Sequence, residues 1–99
     1  MNRPGLTAPG AVRCRMILFV AGDEPNSRRA RENIRAACSE KGSKRYDLQV
    51  VDVFDDFQTA LDYDIMVTPA LVVLDPPPRV TLLGDLSDTE KLHAALGLI

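Results

Sequence analysis

Sulfur, histidine and long apolar runs are scarce in this sequence of 99 residues. Its two cysteines, Cys14 and Cys38, lie far apart, which is neither a CxxC redox pair nor the framework of a secreted disulfide-rich domain. The single histidine, His93, cannot supply the multi-His/Cys set of a zinc site. No apolar run approaches the roughly 20 residues that span a bilayer. Residues 1–11 carry no signal-peptide hydrophobic segment. A cytoplasmic protein with no membrane partner is the resulting expectation. Basic charge is not in excess either: 12 Lys plus Arg stand against 14 Asp plus Glu, a net charge of −2. With no aromatic array to stack bases, that balance speaks against nucleic acid as a partner.

What is present reads as one soluble globular domain. Apolar residues make up 45% and charged residues 26%, unlike a disordered chain. At this length folding removes roughly 65% of the unfolded surface, enough for one modest core. Residues 1–12, with Pro4, Gly5, Pro9 and Gly10 among small side chains, read as a flexible leader to a domain over 13–99. Arg13 and Arg15 then flank an unbroken apolar run at 16–21. Without alternation, such a strand is covered on both faces and lies centrally in its sheet. Residues 22–26 form a turn, and Asn26 or Ser27 can accept from the free amides of the helix that follows. Ala30, Ile34, Ala37 and Cys38 make that helix's apolar stripe, and Gly42 stops it.

A second strand is expected at 46–53. Asp55 or Asp56 caps a short helix carrying Phe57, Ala60 and Leu61 on one side. Thr68-Pro69 marks the turn before a strand at 70–74. Pro76, Pro77 and Pro78 end that strand, because proline has no amide hydrogen and a fixed φ. A last strand at 80–83 is close enough for an antiparallel hairpin. Ser87 as N-cap and Glu90 at N3 match a capping box ahead of Leu92, Ala95, Leu96 and Ile99. The order is βαβαββα, opening with a strand–helix–strand unit of the length that favours a right-handed parallel crossover. The expected fold is thioredoxin-like α/β with a four-stranded mixed sheet.

Several blocks, in matching order over roughly residues 15 to 96, resemble the KaiB family. They are Phe19-Val20-Ala21-Gly22 with Pro25-Asn26-Ser27, Val51-Asp52-Val53, Thr68-Pro69-Ala70-Leu71, Pro76-Pro77-Pro78, and Gly84-Asp85-Leu86-Ser87 with Glu90-Lys91. The resemblance implies a non-enzymatic regulator with no bound cofactor that adopts two folds. One is a KaiB-type ground state, often a tetramer, which is the alternative fold for this chain. The other is a thioredoxin-like monomer that binds a KaiC-like hexameric ATPase or a related signalling protein. The resemblance also places the conformational switch after the second strand, here at Asp52, Pro69, Pro76, Pro77, Pro78, Gly84 and Asp85. Met16 and Leu18 stand where clock members carry a more polar and aromatic strand. That points to a divergent or non-clock member, with a role in circadian timing or in stress response.

Arg28, Arg31 and Arg35 recur at i, i+3 and i+7 and are expected on one face opposite Ile34. Arginine suits bidentate recognition of carboxylates, so this face is the candidate protein contact, with plain solvation as the simpler reading. Two other functions stay open. A thioredoxin-like thiol–disulfide protein needs a reactive thiolate and a resolving cysteine at a helix start, where this chain has Asp23-Glu24-Pro25-Asn26. A structural homo-oligomer, dimer or tetramer, would need no other partner. Asp52, Asp55 and Asp56 crowd together but read as caps rather than metal ligands. Pro69 occupies the place where thioredoxin-like domains carry a cis proline.

Overall fold

The computed structural model describes residues 14–40 and 46–97. The expected leader over 1–12, Arg13, the helix stop at Gly42 and the stripe residue Ile99 fall outside the described residues. Seven elements follow one another: β1 (Cys14–Val20), α1 (Pro25–Glu40), β2 (Tyr46–Asp52), α2 (Phe57–Asp62), β3 (Ala70–Asp75), β4 (Val80–Leu83) and α3 (Thr89–Ala95). They build one sheet in the order β2-β1-β3-β4, with β2 parallel to β1 and the other pairs antiparallel. This is the thioredoxin-like βαβαββα arrangement. Phe19 sits between Val51 and Ala70, and Ala70 faces Leu83 across the hairpin.

The unbroken apolar run of β1 is explained by its place. Cys14, Met16, Leu18 and Val20 pack with Ala30, Ile34, Ala37 and Cys38 of α1 and with Leu92 of α3. Ile17 and Phe19 point the other way, into a smaller cluster with Val51, Val72 and Ala60 of α2. A strand buried on both faces has no polar face to show, so alternation disappears. α1 and α3 therefore share one face of the sheet, and α2 covers the other.

The helix starts differ from the sequence expectation. α1 is capped by Glu24 rather than Asn26 or Ser27: Glu24 Oε1 accepts the Ser27 N–H at 3.0 Å. Pro25 fits the first helical position because its missing amide would be unpaired there anyway. Ser27 is instead fully buried, and its Oγ accepts the Ala21 N–H at 3.1 Å. At α3 the cap is Asp88, which accepts the Lys91 N–H, and not Ser87 with Glu90. The Ser87 N–H is already taken by Asp85 Oδ1 at 3.0 Å, and Leu86 turns the chain with φ +64°. The helix starts one residue later as a result. Asp56 caps α2 as expected, but Ala60 is its only buried residue. Phe57 and Leu61 are 64% and 50% exposed, so α2 seats its small side chain on the sheet and leaves its two large ones at the edge of the contact.

Candidate functional site

Four of the expected switch positions meet at one end of the sheet. Asp52 closes β2, and its Oδ1 accepts the N–H groups of Gly22 at 3.2 Å and Phe54 at 3.0 Å. One carboxylate thus ties the exits of two parallel strands together. Pro69, buried and preceded by a cis peptide bond, opens β3. Its carbonyl accepts the Gly84 N–H at 2.9 Å. Gly84 has φ +99°, a conformation open to glycine and costly to a residue with a Cβ. Asp85 then bridges the hairpin to α1: its carbonyl accepts from Asn33 Nδ2 at 2.8 Å, and its carboxylate lies 3.5 Å from Arg29 Nε. Pro76, Pro77 and Pro78 do not join this group. They are exposed in the β3–β4 connection at the opposite end of the sheet.

Acid should loosen the Asp85 junction. The Ser87 hydrogen bonds, and then Arg29, hold the Asp85 carboxyl below its ordinary value of 3.8. Thr59 does the same for Asp56. A depressed native pKa gives stability that is present above the unfolded value and lost as pH falls through the native one. In an NMR titration the Ser87 and Thr59 amides are expected to shift below about pH 4. Asp85→Asn should abolish the Ser87 transition and leave that of Thr59; two unchanged transitions would rule out this assignment.

The arginines of α1 are not equivalent. Arg28 is exposed and pairs with exposed Asp23 at 3.1 Å, a contact worth little at a solvated surface. Arg31 lies three residues before Ile34, so it borders the buried stripe rather than standing opposite it as expected. It is half-buried, and its Nε, shielded from solvent, has no hydrogen-bond partner among the described residues. Arg35 is exposed at a hollow of about 360 Å³ lined also by Cys38, Ser39, Tyr46 and Leu48. Arg29 was not singled out from sequence, yet it reaches both Asn26 at 2.7 Å and Asp85. Its spacing put it off the Arg28–Arg35 face, and nothing local announced Asp85 as a partner.

Thiol chemistry has its groups at the wrong end. Cys14 starts β1 and Cys38 lies near the end of α1, whereas the start of α1 carries the Glu24 carboxylate as its cap. Both thiols are buried and both pKa values are pushed up, chiefly by desolvation. The Asp52 and Asp56 carboxylates are spent on backbone and capping bonds, whereas Asp55 is exposed, and no metal-holding group of three or more such side chains occurs among the described residues. No helix among them is long and apolar enough to cross a membrane.

Comparison with known proteins agrees with this architecture. The KaiB domain matches residues 17–98. The circadian clock protein KaiB3 of Synechocystis is 35% identical over 82 residues, covering 83% of this chain and 80% of that one. The circadian clock oscillator protein KaiB of Microcystis aeruginosa is 40% identical over 82 residues, covering 83% and 79%. Among solved structures, the N-terminal domain of SasA from Synechococcus elongatus has a TM-score of 0.71 at 30% identity, covering 88% of this chain and 86% of that one. The thioredoxin Deadhead of the fruit fly Drosophila melanogaster reaches a TM-score of 0.72 at 14% identity, covering 91% and 86%, a likeness of fold alone. The chain belongs to the KaiB family.

Proposed function

We propose that this chain is a non-enzymatic regulator of the KaiB type, acting by fold-dependent binding to a KaiC-like hexameric ATPase or a related signalling protein. The observation that carries this reading is the match to circadian clock proteins along most of the chain, at 35–40% identity in the two relatives above. The candidate contact is the α1 face bearing Arg28, Arg31 and Arg35. Two features support it: the Arg31 Nε without a protein partner among the described residues, and the exposure of Arg35. A partner carboxylate would meet the planar donors of arginine better than those of lysine. Residues 13–99 act as one domain in this reading, with the thioredoxin-like form as the binding form. Asp52, Pro69, Gly84 and Asp85, together with Pro76, Pro77 and Pro78, set how readily that form is reached. Binding then selects it and shifts the population.

Biolayer interferometry against the KaiC-type ATPase of the same genome tests the proposal. Reversing the three arginines together (Arg28→Glu, Arg31→Glu, Arg35→Glu) is expected to weaken capture roughly tenfold or more, equivalent to about 1.4 kcal/mol. The melting curve of the free protein should change little, since no replaced side chain belongs to the buried core. Unchanged capture by that variant overturns the α1 contact. A wild-type protein that binds no such ATPase overturns the partner.

A further inference from the structure

The face of the sheet covered by α2 leaves much of its apolar surface open. Seven large hydrophobic side chains are exposed among the described residues, and six of them gather here: Phe54, Phe57, Leu61, Met66, Val67 and Leu83. Phe57 and Leu61, four residues apart, form a ridge along α2, and Phe54 lies on the turn before it, with its ring beside Gly22. Met66, Val67 and Leu83 line a hollow of about 370 Å³ beside it. Leu83 points to this side because its neighbour Leu82 packs against the opposite core and side chains alternate along a strand. Met66 is 89% exposed. Such a gathering is uncommon on a surface with no partner.

The charge around it is predominantly negative. Residues 46–78 contain seven aspartates and no Lys, Arg or His. Asp55, Asp56, Asp62 and Asp64 are exposed about the ridge. Arg79, just beyond this stretch in sequence, brings one cation to the rim, stacked at 5.1 Å on the ring of Tyr63, which lines the hollow. An apolar ridge set among four carboxylates that make no ion pair among the described residues matches a ligand that is apolar along one side and cationic along its flanks.

We propose that the α2 face is a docking surface for a basic amphipathic segment of another protein. The apolar side chains of that segment lie along Phe57 and Leu61 and enter the hollow at Met66 and Leu83, while its Lys or Arg residues meet Asp55, Asp62 and Asp64. A second copy of this chain fits less well, since its cationic helix α1 exposes none of the large hydrophobic side chains that the ridge would need. This surface lies across the sheet from α1, so it is independent of the arginine contact. One chain can hold two partners of opposite charge.

The test is an NMR titration of the full chain with a short synthetic amphipathic helix of leucine and lysine. A leucine and glutamate peptide of the same pattern serves as the control. Shifts are expected at residues 54–67 and 81–83 and not along α1. Phe57→Ser with Leu61→Ser, and separately Asp55→Lys with Asp62→Lys, should each weaken binding roughly tenfold or more. These side chains lie outside the buried core, so the variants' own spectra will show them folded. The proposal is overturned if the glutamate peptide binds equally well, if the shifts fall on α1, or if folded variants bind as the wild type does. Concentration-dependent shifts of the same residues without peptide would give the face to a second copy, which overturns it equally.

Discussion

Phe19→Ala should remove about 3–5 kcal/mol of folding stability, a large share of the roughly 5–15 kcal/mol that holds a domain of this size. Phe19 is fully buried at the centre of the smaller core, between Val51 and Ala70 in the sheet. Its ring lies 5.8 Å from that of Tyr63, tilted by 51°. The larger core has α1 and α3 to close over a void. The smaller one has α2, six residues long with Ala60 as its buried contact, and a chain that short cannot refill the space of a phenyl ring. Urea titration should show a lower midpoint with an unchanged slope, and the α2 amides should lose protection first. Phe19→Leu keeps most of the volume and should cost less than about 1.5 kcal/mol. A Phe19→Ala loss below that figure would mean the α2 layer collapses freely onto the sheet.

The same contrast between the two cores explains what could be read from sequence. β1 declared itself by the unbroken apolar run at 16–21, since burial on both faces leaves one reading. The α1 stripe was legible because Ala30, Ile34, Ala37 and Cys38 repeat at the helical period and all four are buried. α2 was harder. Phe57, Ala60 and Leu61 fit a stripe in sequence, but period alone cannot say whether a six-residue helix points its large or its small side chain inward. The caps were misplaced for a related reason. Ser87 has the right spacing to Glu90, yet its amide was claimed by Asp85 through a turn that only the folded hairpin creates. The Asp85 cluster drew on α1, β3 and the hairpin at once, and the Asn33–Asp85 contact spans 52 positions. Asp52, Pro69, Gly84 and Asp85 were named through family resemblance and their α1 partners Asn33 and Arg29 were not; the meeting at one end of the sheet, without the three prolines, is a tertiary fact.

Native Cys38 should react with a disulfide reagent far more slowly than an exposed cysteine. Burial, and then the neighbouring Cys14, push its pKa from 9.0 up to about 11. At pH 8 that difference alone lowers the thiolate fraction roughly 100-fold, and the thiolate is the nucleophile. Cys14 is shifted the same way by burial and by Asp75. With Ellman's reagent the folded protein should give almost no fast phase, and unfolding in guanidinium should release both thiols. The sign for stability follows from the raised values. Their contribution is complete below the unfolded pKa and fades as pH rises through the native one, so the alkaline limb of a stability profile should bend between about pH 9 and 11. Cys38→Ala should flatten that limb. A fast native reaction at either thiol would return the thiol–disulfide reading to contention, because it would place a usable nucleophile where the fold now keeps a protonated core residue. Slow reaction leaves the start of α1, with a carboxylate as its cap and no sulfur, free to serve as a contact surface. Recognition would then rest on shape and charge.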